Sequence, residues 1–274
     1  TTGAVHSTKI LGSPFRSPNY LDAGPVIRYG SRLWMLALSG IAVPPDGTHG
    51  RIEVLWSDDE GITWTWVGPA IAQPLTLAQH QVSPNNAANM GVGAVLIADA
   101  DGDGRDWIYC YFHQAESDGR FMSLGVARAD VRELSAAVAN RSTVSTLWHK
   151  RRGGAFTGSY DDPADELLRC GGWPSVVWCA PLSRYLLLTA APPGSGKSLF
   201  YLSSSQDGLA WSDPALVYAE TRPGWYASVP CFVAPDGYVE RELDVLLGPC
   251  WNGGPTGVPV ITEHEIHGVT VTLV

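Results

Sequence analysis

The hydrophobic and polar positions form short alternating runs, each broken by turn residues. Pro25 to Leu38 (PVIRYGSRLWMLAL) predicts a strand, a Tyr-Gly-Ser turn and a second strand. Arg51 to Trp56 and Thr63 to Val67 predict two more. After a polar stretch, Val92 to Ile97, Trp107 to Phe112 and Phe121 to Ala127 repeat the order. Ser175 to Trp178, Arg184 to Thr189, Ser198 to Ser203 and Ala210 to Trp211 repeat it again. Val229 to Ala234, Leu243 to Leu247, Val258 to Glu263 and Val269 to Leu273 make a fourth copy. Helical spacing is scarce: only Asp130 to Ala139 (DVRELSAAVA) suits a short helix, and it suits an extended connection equally.

Repeating units of roughly 45 to 80 residues, each an up-and-down sheet of about four strands, describe a β-propeller. The expectation is one all-β domain over residues 1–274. Four units are clear. Five blades are expected, with the long second unit (Gly91 to Leu168) contributing part of another, and four blades are the alternative. His6 to Leu11 (HSTKIL) is expected to close the ring as a strand of the last blade. A β-sandwich with an added lobe is the competing fold.

Composition sharpens this picture. The chain has 30 Gly and 20 Pro, which supply many turns. Its 11 Trp and 10 Tyr, with only 16% charged residues, suit stacking on sugar faces as well as packing in a large β core. A net charge of −9 argues against nucleic acid and against an anionic membrane surface as partners. No apolar run approaches the roughly 20 residues of a membrane span. The five cysteines include no CxxC pair, so a zinc site is not expected. Cys170 and Cys179 are close enough in sequence to bridge, and buried free thiols suit their apolar neighbours as well.

Ala191 to Ser198 (APPGSGKS) lies one residue from a phosphate-binding loop. Such a loop needs a helix after it, so that the helix N-terminus meets the phosphates. Here the following residues, SLFYLSSSQDGLAW, are of β type. The segment therefore reads as a hairpin, and no nucleotide is expected.

Two turns share a pattern. Ser57-Asp58-Asp59-Glu60-Gly61-Ile62-Thr63-Trp64 follows the third strand of the first unit, and Ser205-Gln206-Asp207-Gly208-Leu209-Ala210-Trp211 follows the third strand of the third. In each, an Asp carboxylate would cap turn N–H groups, Gly would take a positive φ, and Trp would pack back on the sheet. The two turns resemble the Asp-box of sialidases and of furanosidase-type propellers. Phe15-Arg16-Ser17-Pro18, followed by Gly30 to Ala37, resembles a sialidase opening, although Ser17 replaces the usual Ile. Asp22-Ala23-Gly24-Pro25-Val26-Ile27 resembles the first inner strand of arabinanase and xylosidase propellers, where an Asp before the Pro is the general base. Here two residues separate them. Trp148-His149-Lys150, Gly154-Ala155-Phe156, Pro174-Ser175-Val176 and Arg184-Tyr185-Leu186 resemble segments of secreted glycosidase-like propellers. The resemblance implies a propeller glycoside hydrolase, secreted or extracellular, acting on an oligo- or polysaccharide without a required cofactor. It places Asp59 and Asp207 on the outer rim, in structural roles.

Candidate chemistry then lies just before each inner strand. Glycoside hydrolysis usually takes two carboxyls about 5 to 9 Å apart, one protonated and one ionised. Asp22 as base and Glu220 as acid are the expected pair. Trp173, Trp225 and Tyr226 would wall a sugar site, with inter-blade packing as the other use of such rings. Asp161, Asp162, Asp165 and Glu166 form an acidic run that reads mostly as a solvated loop. A sialidase reading would use Arg16 and Arg222 on the sugar carboxylate, Tyr226 with Glu220 as nucleophile pair and Asp46 as acid, but a third arginine is not evident. A uronate polysaccharide lyase would use His80 or His113 with Tyr226. A non-catalytic propeller binding glycan or protein, as in lectins or phage receptor-binding parts, is the competing class. Asp99, Asp101 and Asp103 alternate as oxygen ligands of a calcium loop would, though the closing acidic ligand is out of place.

Overall fold

The computed structural model describes residues 9–11, 20–43, 47–74, 78, 92–115, 122–169, 172–190, 199–220, 225–232, 238–239, 242–252, 261–264 and 267–272. Their strands form four sheets, one for each repeating unit seen in the sequence. The first contains β1 (Lys9–Leu11), β2 (Tyr20–Asp22), β3 (Val26–Tyr29), β4 (Arg32–Val43), β5 (Gly47–Ser57) and β6 (Thr63–Ala72). Strands β4, β5 and β6 run antiparallel in chain order, and β2 and β3 share the other edge of β4. The opening strand of this sheet is thus split: Asp22 faces Leu38, Val26 faces Met35, and Leu36 donates its N–H to the Pro25 carbonyl across the break (3.1 Å).

The second sheet contains β7 (Val92–Ala98), β8 (Asp106–Ala115), β9 (Met122–Asp130), β10 (His149–Arg152), β11 (Ala155–Gly158) and β12 (Leu168–Arg169). Between β9 and β10 the segment left open between helix and extended connection forms a helix, α1 (Val131–Asn140). Asp130 caps it by accepting from Arg132 N and Glu133 N. Val131, Leu134 and Ala137, spaced three apart, form its buried face.

The third sheet orders β13 (Ser175–Cys179), β14 (Arg184–Ala190), β15 (Leu199–Ser205) and β16 (Ala215–Ala219) as neighbours. The fourth holds β17 (Trp225–Phe232), β19 (Glu242–Asn252), β20 (Ile261–His264) and β21 (His267–Thr272), while β18 (Tyr238–Val239) pairs in parallel with β13. No helix among the described residues is long and apolar enough to cross a membrane.

Two expectations change. The N-terminal strand β1 pairs in parallel with β6, Ile10 opposite Trp64, so it extends the first sheet instead of completing the last. The outer edge of β6 offers unpaired backbone groups there, and those groups need partners. Ala210 and Trp211 are not a strand; the Ala210 N–H is held by the Asp207 carboxylate (2.8 Å), which keeps this segment in the turn, and the fourth strand follows as β16. Cys179 is buried, and Cys170 lies outside the described residues. A fifth sheet is not among the described residues. Residues 191–198 lie outside them, but the strands on either side, β14 and β15, are antiparallel neighbours with Ala190 opposite Phe200.

The chain divides into two compact units, residues 1–110 with 126–165, and residues 111–125 with 166–274. In the first, Leu33, Ala37, Leu55 and Trp64 form one core cluster. In the second, Val177, Cys179, Leu186, Leu188, Ala190 and Phe200 form another.

Both recurrent turns fold as their residues dictate. Asp59 accepts from Thr63 N (2.9 Å) and Thr63 Oγ1 (2.6 Å), and Ser57 Oγ donates to it (2.7 Å). Glu60 and Gly61 take positive φ (57° and 81°), and Trp64 is buried. In the second turn Asp207 accepts from Leu209 N and Ala210 N, Gly208 has φ +73°, and the Tyr111 hydroxyl donates to the Gly208 carbonyl (3.0 Å). The Trp211 ring meets Tyr111 edge-on at 5.7 Å.

The Thr63 hydrogen bonds hold the Asp59 carboxyl well below its ordinary 3.8, at about 2. A carboxyl with a depressed folded value adds stability above its unfolded value, and that gain is lost as pH falls through the folded one. Asp59→Ala is therefore expected to lower the thermal midpoint at neutral pH. The gap to the wild type should narrow between pH 4 and pH 2 (about the two values) in a pH series of melting curves.

Candidate functional site

The register of the third sheet places two predicted residues, Trp173 and Glu220, at one end, beside strands that have β14 and β15 between them. Ser175 faces Leu188, Ala190 faces Phe200, and Phe200 faces Tyr218. The end where β13 starts therefore also carries the end of β14, the start of β15 and the end of β16. Trp173 precedes β13 there, and Glu220 follows β16. Glu220 is 8% exposed, and the Tyr218 hydroxyl donates to its Oε2 (3.1 Å). The Tyr218 ring lies 5.6 Å from that of Phe200. A carboxyl held out of water beside a phenol is the setting in which a side chain can serve as a general acid.

Trp173 is half-buried and borders the core cluster of this unit. Its N–H donates to His113 Nδ1 (3.1 Å), and the two rings lie 5.4 Å apart. His113, near the end of β8, is fully buried. Of the two histidines considered from sequence, it is the one the structure describes, and it serves as a backbone partner of Trp173.

Asp22 is the last residue of β2, in the split opening strand of the first sheet, and belongs to the first compact unit; Glu220 belongs to the second. Trp225 and Tyr226 open β17, facing Trp251 and Cys250. Arg16, Asp46, His80 and Arg222 lie outside the described residues.

The acidic run is occupied locally. Asp165 accepts from the N–H groups of Gly153 and Gly154 (2.9 Å each), and Asp162 pairs with Arg152 (3.2 Å). Glu166 pairs with Arg169 (3.0 Å). The carboxylates of the calcium-loop pattern have local partners of the same kind. Asp99 accepts from Gly104 N (2.6 Å), Asp103 from Arg105 N (3.0 Å), and Asp101 is paired with Arg128 (2.7 Å). Arg128 in turn lies over the rings of Trp107 (4.0 Å) and Phe156 (4.2 Å). The three carboxylates thus cap a turn and anchor it to the sheet. Among the described residues no group of three or more acidic, His or Cys side chains gathers as a metal site.

Two buried charges escaped the sequence reading. Glu53, fully buried, accepts from Ser39 Oγ (2.7 Å), Trp66 Nε1 (3.0 Å) and Arg51 Nε. Lys150, also fully buried, donates to the carbonyls of Ala72 (2.8 Å) and Asp162 (2.6 Å). Both sit at positions where alternation predicts a solvent face.

No protein-family model matches the chain, and no curated protein matches it. Solved structures do. An exo-1,5-α-L-arabinanase from a bovine ruminal metagenomic library aligns with a TM-score of 0.50 at 10% identity, over 94% of this chain and 76% of its own. A sucrose-6-phosphate hydrolase from Lactobacillus gasseri aligns with a TM-score of 0.50 at 14% identity, over 85% of this chain and 40% of its own. The fold is a glycosidase-type β-propeller. Each described sheet is then a blade, and β2, β7, β13 and β17 are the opening strands of their blades. At such identities the likeness carries the fold, and the chemistry must rest on this propeller's own residues.

Proposed function

We propose that this propeller is a glycoside hydrolase acting on an extracellular oligo- or polysaccharide. Glu220 gives its proton to the leaving oxygen as the glycosidic bond breaks. The Asp22 carboxylate takes a proton from the water that attacks the anomeric carbon. Trp173, Trp225 and Tyr226 supply flat apolar faces for sugar rings. The observation that carries this reading is Glu220: a carboxyl only 8% exposed, hydrogen-bonded by Tyr218, at the blade end where an opening strand begins. The likeness to an arabinanase makes α-1,5-linked arabino-oligosaccharides the first substrates to test, with a panel of aryl glycosides beside them.

Asp22→Asn removes the base and keeps the shape. Turnover of any substrate found in that panel is expected to fall by at least about a hundredfold, with an unchanged melting midpoint. Unaltered turnover in the variant would remove Asp22 from the reaction.

A further inference from the structure

We infer that His113 is a positioning residue: it holds Trp173 in a strained backbone conformation so that the indole serves as the platform on which a sugar ring of the substrate stacks. The inference rests on the glycosidase reading and adds to it a residue that never touches the substrate.

Trp173 has φ +52°, in the left-handed region that favours glycine. Bulky residues rarely stay there unless the surroundings hold them, and such positions cluster at binding sites. Pro174 restricts the residue before it further. Gly171 and Gly172 stand immediately upstream, so glycine is plentiful at this turn, yet the strained position carries the largest side chain. The cost is tolerated because the turn is tied down on both sides. Ala190 N donates to the Gly172 carbonyl (3.0 Å), and Trp173 N donates to His113 Nδ1 (3.1 Å). An Nδ1 that accepts keeps its lone pair, so the neutral ring carries its proton on Nε2. The imidazole also lies against the indole at 5.4 Å with the planes at 59°. One buried side chain therefore fixes both the backbone and the ring of Trp173. The indole is only half-buried, and it stands where β13 starts, at the blade end that also bears Glu220.

The test compares four variants on α-1,5-linked arabinotriose, and on whichever aryl glycoside the wild type turns over best. Trp173→Ala and His113→Phe are expected to raise KM about tenfold with kcat within about twofold, the value of one stacking contact. Trp173→Phe keeps a ring and should lie between. His113→Asn places an acceptor where Nδ1 was and should restore a near-wild-type KM. A purely structural role would lower the melting midpoint without separating KM from kcat, and that outcome overturns the inference. So does an unchanged KM in His113→Phe, or an equal rise in His113→Phe and His113→Asn. A wild type that turns over neither substrate takes down the glycosidase reading as well; a working wild type with any of the other failures takes down this inference alone.

Discussion

Glu220→Gln is expected to lower kcat on an oligosaccharide by about a hundred- to ten-thousand-fold, the range a general acid contributes. The amide keeps the size of the side chain and still accepts from the Tyr218 hydroxyl, so folding should be preserved. The sharper signature is the dependence on the leaving group. An alkoxide sugar needs a proton as it departs; a dinitrophenolate does not. Turnover of a dinitrophenyl glycoside should therefore survive in Glu220→Gln while turnover of the oligosaccharide is lost. A parallel loss on both would make Glu220 a binding or structural residue. Tyr218→Phe removes the neighbouring donor and is expected to shift the alkaline limb of the pH–rate profile, where the acid loses its proton, without abolishing turnover, which steady-state rates across pH would read.

Lys150→Ala is the change expected to damage stability most. The side chain is fully buried, and its ammonium serves two backbone carbonyls, those of Ala72 and Asp162. Alanine leaves a cavity as long as the lysine stem and two acceptors without a donor, a loss on the order of 3 to 5 kcal/mol. Burial is also what sets this residue's titration. It pushes Lys150 down from its ordinary 10.5 to about 8, against the pull of Asp161 and Asp162. Between those values the unfolded chain binds more protons than the native one, so stability rises as pH climbs from 8 to 10.5. The lysine contributes about 3 kcal/mol to that rise. Above pH 8 the neutral amine still has two N–H groups for the two carbonyls. Lys150→Met fills the space without titrating. Urea unfolding across this window should show the rise in the wild type and its loss in Lys150→Met; the same pH dependence in both proteins would assign it elsewhere.

The sheets were readable in the sequence because their strands alternate and end in turn residues. The turns around Asp59 and Asp207 were readable because Ser, Asp and Gly at fixed spacing have one economical set of hydrogen bonds. Other parts were hidden for physical reasons. Glu53 alternates with Ile52 and Val54, which in a sheet with one wet face would put it in solvent. Here β5 is covered on both faces at Ile52, Glu53 and Val54, and Glu53 survives there only with three donors around it. Lys150 sits in a basic run that reads as surface for the same reason. Ala210 and Trp211 carry β-type residues, but the Asp207 carboxylate competes for the backbone and wins. Strands as short as β12, a pair of residues, have no period to detect. The strain at Trp173 has no sequence signal beyond its Gly-Gly-Trp-Pro setting, and His113 meets it from another strand.

The direct test is hydrolysis in water enriched in oxygen-18, with products read by mass spectrometry after a short reaction. A glycoside hydrolase breaks the anomeric bond with water. The new reducing end should carry the heavy isotope, and the label should vanish with turnover in a protein bearing both Asp22→Asn and Glu220→Gln. Unlabelled products bearing a new double bond would mean elimination. A propeller that binds glycans but releases no labelled sugar from any of them would be a binding protein, and the assignment of Asp22 and Glu220 as base and acid would be wrong.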